Sequence, residues 1–437
     1  MRNARFFITL RNEFLDWRLW GTRAIILTYA ALTGLSVVGL TKISEFAFNR
    51  FLQLYSHLEW IPLIWTPLCT IAIVYLTRQL APGAAGSGIP QVIAALDPQC
   101  PPERRNLFVS LRLSLSKTLL TASGLLAGLS LGREGPSVQI GAGIMRNARH
   151  WLPTNVPISE ASLIMAGGAA GIAAAFNTPL GGVMFAIEEL SKSLEQRNNG
   201  LNITAIVLAG LIAISIDGNK TYFGAIDISN ADLNIVLPCV LVVLLSGILG
   251  GIFSKMLIIS LQSNKTFFGN FRRQRPLYFA GICGFLVALI GFISHGETFG
   301  SGYSHTQAII DQTGSSSYFF VPLKFIATWL STWSGVPAGL FAPSLAIGGG
   351  IGESVSHALS LPHAQILIAI GMAGFLAAVT QAPLTSFIIV MEMIDGHGLV
   401  LSLMASAFIS AGLSRMVGRP LYPSLAKLQL LRLSQAN

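Results

Sequence analysis

Hydrophobic residues run through this chain in long uncharged blocks rather than in short alternations. Residues 24–40, 233–254, 276–294 and 398–414 contain no Asp, Glu, Lys or Arg. Each block is close to the ~20 residues that a helix needs to cross about 30 Å of hydrocarbon. Residues 161–187, 325–352 and 358–391 are equally free of those charges but are interrupted by Pro and by paired Gly. Together the two kinds of block predict on the order of ten or more membrane segments.

Composition agrees. Of the 437 residues, 52% are hydrophobic and 11% charged, against roughly 25% charged in a soluble domain. Mean hydropathy is +0.63. The first 23 residues are Arg-rich and amphipathic, which predicts a cytoplasmic interfacial helix and no cleavable signal peptide. The net charge of +9 comes from short segments between the blocks: Arg104, Arg105 and Arg112; Arg146 and Arg149; Arg272, Arg273 and Arg275; Arg415, Arg419, Lys427 and Arg432. That distribution is expected of cytoplasmic loops and argues against a nucleic-acid partner. The acidic loop with Asp217, Asp227 and Asp232 is placed outside. Cys69, Cys100, Cys239 and Cys283 have neither metal nor disulfide spacing, and the histidines lack ligand spacing. No cofactor or metal is expected.

The chain repeats itself. GREGPSVQIGAGI (132–144) aligns without a gap on GLFAPSLAIGGGI (339–351), and residues 173–188 align on 377–392, so that Glu188 falls on Glu392. Upstream, Gly86-Ser87-Gly88 matches Gly300-Ser301-Gly302. Duplicated halves with interrupted hydrophobic segments at matching places predict a transporter built from repeats, with its site near the midplane. The basic loop at 270–275 fits an inverted second half. The expected layout is an amphipathic N-terminal helix (1–23), a first membrane repeat (24–217), an inter-repeat loop (218–232), a second repeat (233–414) and a C-terminal helix with a short cytoplasmic tail (415–437).

The repeated blocks are where helices should break. Gly86, Gly88, Gly132, Gly135 and Gly339 loosen the backbone, and Pro90, Pro136 and Pro343 suit first turns. Non-helical backbone at membrane depth is tolerated only around protein or a wet cavity. There, free N–H groups and the positive end of the helix dipole suit an anion. Such a site needs no full positive charge, which would hold the ion too tightly. Glu134 interrupts an apolar stretch, and Glu188 and Glu189 close one; intramembrane carboxylates are costly and usually functional. Arg133 adjoins Glu134 but does not face it on a helix.

GSGIP (86–90), GREGP (132–136), GLFAP (339–343) and Pro420-Leu421-Tyr422 resemble the signature elements of the CLC family of chloride channels and proton-coupled chloride transporters. The resemblance spans nearly the whole chain. It implies an all-α polytopic membrane protein with two inverted repeats, about eighteen helices, and a homodimer with one pore per subunit. It further implies an inner-membrane location with both termini cytoplasmic, and lipid, chloride and protons as partners. Carried over by residue, Ser87 and Tyr422 supply hydroxyls to a central anion, and Leu340 and Phe341 supply backbone N–H groups. Ile89, Arg133 and Ala342 complete the motifs. Glu134 is the gate, and Glu189, with Glu188 beside it, relays protons from the cytoplasm. A carboxylate at Glu189 favours a chloride/proton antiporter over a passive chloride channel of the same fold. Two departures stand out. Gln91 and Ile93 occupy positions where bacterial relatives carry acids, and Lys117 is spaced like a lysine that pairs with one of those acids. A rival of another class is an intramembrane serine protease with Ser87 as nucleophile and His305 as base.

Overall fold

The computed structural model describes residues 17–435 except 154–155, 157, 192–199, 219–220, 227–234, 263–265 and 362–363. Among the described residues there are 18 α-helices. The first half contains α1 (Trp17–His57), α2 (Pro62–Leu80), α3 (Ile89–Leu96), α4 (Leu111–Leu126), α5 (Glu134–Asn147), α6 (Glu160–Phe176), α7 (Pro179–Phe185) and α8 (Gly200–Asp217). The second contains α9 (Val236–Gln262), α10 (Phe267–Gln274), α11 (Pro276–Ile293), α12 (Tyr303–Ile310), α13 (Phe320–Trp333), α14 (Phe341–Ala358), α15 (Ala364–Thr380), α16 (Pro383–Met393) and α17 (Val400–Val417); α18 (Leu421–Gln435) follows.

The halves correspond helix by helix. The partners α3 and α12 each have 8 residues, α6 and α15 each 17, and α8 and α17 each 18. Among the described helices only α10 and α18 lack a counterpart. Among the described residues five helices are long and apolar enough to cross a bilayer. The interrupted blocks of the sequence are instead pairs of shorter helices. α6 ends at Asn177 (φ 55°) and α15 ends at Gln381 (φ 61°), each followed by a proline that starts the next helix. The N-terminal boundary expected at residue 23 is not an element boundary, because α1 runs through it; residues 1–16 lie outside the described residues.

The repeats are inverted. α5 starts at the centre with Glu134 and ends with Arg146 beside Asn106, Val109 and Glu160, on the face that collects the basic loops. α14 also starts at the centre but ends at the opposite face, where Glu353 accepts hydrogen bonds from Ser316. At the meeting point the equivalent residues Gly132 and Gly339 form an antiparallel bridge and exchange both backbone hydrogen bonds, 2.8 and 3.0 Å. A two-fold axis in the membrane plane requires this of a residue and its own counterpart.

The helix pairs close on glycine. A Cβ on Gly141 would strike the Gly167 carbonyl, and a Cβ on Gly348 would strike the Gly371 carbonyl. Small residues let backbones approach where lipid offers no hydrophobic drive between helices. The backbones of α5–α6 and α14–α15 are thereby packed into two rigid pairs that hold the central loops.

Candidate anion site

Four chain segments meet at the centre: the turn before α3, the turn before α5, the turn before α14, and the first turn of α18. Backbone bonds stitch the turns together. Gly86 N–H donates to the Val336 carbonyl at 3.3 Å, Ala338 N–H donates to the Gly86 carbonyl at 3.1 Å, and the Gly132–Gly339 bridge adds two more bonds. Gly88, at φ 110°, holds a conformation that a side chain would strain, and lets the chain turn into α3. A Cβ on Gly132 would collide with the Glu134 carboxylate, so glycine there makes room for it.

This arrangement leaves polar groups free at depth. Ser87 is 4% exposed and Tyr422 0%, and neither hydroxyl has a hydrogen-bond partner among the described residues, although the two lie close enough to interact. Among the described residues no acceptor takes the N–H of Leu340 or Phe341, the residues that open α14. A buried polar group without a partner costs free energy, so four such groups in one place point to a ligand that supplies acceptor capacity. The Phe341 ring stacks on Tyr422 at 6.1 Å and 11° and also contacts Phe176 and Phe185, which walls the site with apolar surface.

Glu134 is fully buried and is the first residue of α5 rather than part of the loop before it. Its Oε2 accepts from the Ala342 N–H of α14 at 3.3 Å, and the carboxylate also lies against the backbone of Arg133 and its own residue; Oε1 has no partner. The carboxylate thus sits on amide groups at the N-termini of α5 and α14, the environment that suits a small anion. Arg133 turns away from it and pairs with Glu45 at 2.9 Å.

Two cavities flank the centre. One of about 600 Å³, on the face opposite the basic loops, is lined by Lys42, Glu45, Arg133, Tyr222, Tyr303 and Asp395 among others. The other, about 70 Å³, opens towards the basic face and has Ser87, Leu340 and Gln91 in its wall.

The two terminal glutamates of the first half part company. Glu188 accepts from the Leu384 and Thr385 N–H groups at 3.1 and 2.7 Å and so caps α16. Its repeat partner Glu392 accepts from Leu180 and Gly181 at 3.2 and 2.7 Å and caps α7. The pair cross-links the halves, a role that sequence reasoning did not assign. Glu189 is half-buried, accepts no hydrogen bond among the described residues, and is close enough to Tyr422 to act on it electrostatically. A π-turn over Ala186–Leu190 carries both carboxylates; such turns recur at functional sites.

Sequence reasoning also missed the polar support behind the site. Lys117 is buried and donates to the Ala84 and Gly86 carbonyls at 2.7 and 2.5 Å. Lys324 does the same in the other half, to Thr298 and Gly300 at 2.9 and 2.8 Å. Lys117 therefore needs no acidic partner. Gln91, where an acid was expected from relatives, accepts from Gly88 N–H and donates to Ala85 O. The available signal was a single lysine within each of two membrane-depth helices, α4 and α13. His305 bonds Ser316 at 2.8 Å and not Ser87, so the serine–histidine dyad of the protease reading does not form.

The model of the voltage-gated chloride channel family matches residues 69–415. An H⁺/Cl⁻ exchange transporter from Citrobacter koseri is 30% identical over 425 residues, covering 92% of this chain and 87% of the relative. One from Yersinia pestis is 30% identical over 454 residues, covering 95% and 90%. Among solved structures, a slow cyanobacterial Cl⁻/H⁺ antiporter superposes with a TM-score of 0.79 at 23% identity, over 94% of this chain and 98% of that one. A CLC-type fluoride/proton antiporter superposes at 0.75 and 22% identity, with the same coverage. With the motifs, the inverted repeats and the central cluster of free donors all in place, the chain belongs to the voltage-gated chloride channel family, a family of membrane transporters and channels rather than enzymes.

Proposed function

We propose that this protein exchanges chloride for protons across a membrane, with Glu134 as gate and Glu189 as proton relay. The observation that carries the reading is the Glu134 carboxylate on the Ala342 amide, beside free donors of Ser87, Leu340, Phe341 and Tyr422. A charged carboxylate there competes with chloride for the same amides, and a protonated one vacates them. Proton binding and anion passage are thereby mutually dependent. The half-buried Glu189, which accepts no hydrogen bond among the described residues, offers a proton route separate from Glu134. Exchange activity in the named relatives supports the same reading.

Glu188, with both oxygens occupied by backbone amides, is proposed to position the turn rather than to relay. A homodimer with one pathway per subunit, and cytoplasmic termini at the inner membrane, are proposed from the family likeness and the basic loops. Paired chloride and pH recordings on reconstituted liposomes test the proposal. Chloride efflux should drive proton uptake, and chloride flux without opposed proton movement would leave the passive-channel reading instead.

A further inference from the structure

The two helices that break the repeat both contribute to the wall of the small inner cavity. Arg272 comes from α10 and Arg432 from α18, and both line the wall that also holds Ser87 and Leu340. An Arg272 guanidinium nitrogen lies 4.0 Å from where a Cβ on Gly335 would stand, beside the turn leading to Leu340. Among the described residues no carboxylate pairs with Arg272 or Arg432, and the cavity wall has no Asp or Glu. A larger cavity of about 670 Å³ shares Gln429 and Arg432 with it, adds Arg112, and again has no acid in its wall. α10 lies at the basic face, where burial and then the Arg432 charge push Arg272 down to about 10. Two guanidinium groups that line one small cavity without a carboxylate repel each other, and an anion in that cavity relieves the repulsion. The opposite vestibule differs, since Lys42 and Arg133 there share the wall with Glu45 and Asp395. The second observation is Ser87 itself: its buried hydroxyl has no partner among the described residues, and Ser87 lines the same cavity.

We propose that Arg272 and Arg432 form a chloride-capture station at the basic face, which concentrates the ion and passes it to Ser87. The proposal rests on the chloride-exchange reading and adds a one-sided affinity control that does not touch protons. At about 70 Å³ the inner cavity suits a monatomic ion and excludes a nucleotide.

The test uses the full-length protein in a planar bilayer. Chloride moving one way and protons the other carry current in the same direction, so exchange is electrical at any ratio. Unmodified protein is recorded first; absence of a proton-coupled chloride current there would remove both readings. In Arg272→Gln/Arg432→Gln, the chloride concentration that half-saturates current from the basic face should rise about 25-fold at low ionic strength, about five-fold for each unit charge at contact distance in water. The rise should shrink at high salt, where the Debye length falls to about 3 Å. Half-saturation from the other face and the reversal potential should not move. Arg272→Lys/Arg432→Lys, which keeps the charge, should stay within two-fold of unmodified protein, and each single Gln variant should give about half of the logarithmic shift. Unchanged half-saturation in the Gln variants with coupled current intact, or an equal shift from both faces, would overturn the proposal.

Discussion

Replacing Tyr422 with Phe separates the hydroxyl from the ring. The ring's place is set by its 6.1 Å stack on Phe341 and by full burial, and Phe keeps both. The hydroxyl has no hydrogen-bond partner among the described residues. If it donates to chloride, losing it removes a hydrogen bond to a charged group, about 1.5–3 kcal/mol. Chloride should then bind roughly ten- to hundred-fold more weakly. At a chloride concentration 100 times its Kd, the ion stabilises the unmodified protein by about 2.7 kcal/mol; a Kd thirty-fold weaker leaves about 0.9. The chloride-dependent part of stability should therefore fall by about 1.8 kcal/mol. Without chloride the variant should be at least as stable as the original, because a buried unpaired hydroxyl costs about 1–3 kcal/mol. Thermal unfolding of solubilised protein in chloride against gluconate, with calorimetric chloride titration alongside, reads both effects. A Tyr422→Phe protein with the full chloride-dependent rise in Tm and an unchanged Kd would remove the hydroxyl from the anion site and undercut the four-donor argument.

Glu134→Gln should abolish proton movement and leave chloride flux insensitive to pH, whereas Glu189→Gln should stop proton movement yet keep the pH dependence of chloride flux; the paired liposome recordings distinguish them, and normal proton transport in Glu189→Gln would end its assignment as relay. Glu188→Gln and Glu392→Gln should each lose one amide bond of their cap and lower stability by a similar amount, about 1–2 kcal/mol; if only Glu188→Gln altered the proton-to-chloride ratio, Glu188 would be a relay after all. Lys117→Met should orphan the Ala84 and Gly86 carbonyls at about 1–3 kcal/mol each, and should weaken chloride binding because the turn carrying Ser87 loses its clamp; calorimetry with unchanged chloride affinity would confine the lysine to folding.

Much of this molecule is written locally. Hydrocarbon tolerates only satisfied backbone, so uncharged blocks announce helices, and Gly and Pro within them announce where helices stop. The duplication of GREGP in GLFAP, and of 173–188 in 377–392, made the two halves and their central meeting place legible. The family resemblance carried by GSGIP, GREGP, GLFAP and Pro420-Leu421-Tyr422 implied that Ser87, Glu134, Leu340, Phe341 and Tyr422 would be neighbours. What each group then touches was settled by packing. Glu134 meets Ala342 across 208 residues, and Glu188 meets Leu384 across 196. Glu188 and Glu189 are adjacent in sequence and equal in chemistry, yet the π-turn delivers one to the amides of α16 and leaves the other without a hydrogen bond from any described residue. Lys117 looked as though it lacked a partner because its partners are carbonyls, which every residue carries and no sequence pattern singles out. Arg272 and Arg432 read as ordinary basic-loop charges until two helices without repeat counterparts brought them to the mouth of the Ser87 cavity. Chain composition sets which segments leave water, but the identity of a donor's acceptor depends on which helix ends arrive at the same point, and that is decided only when the two halves close on each other.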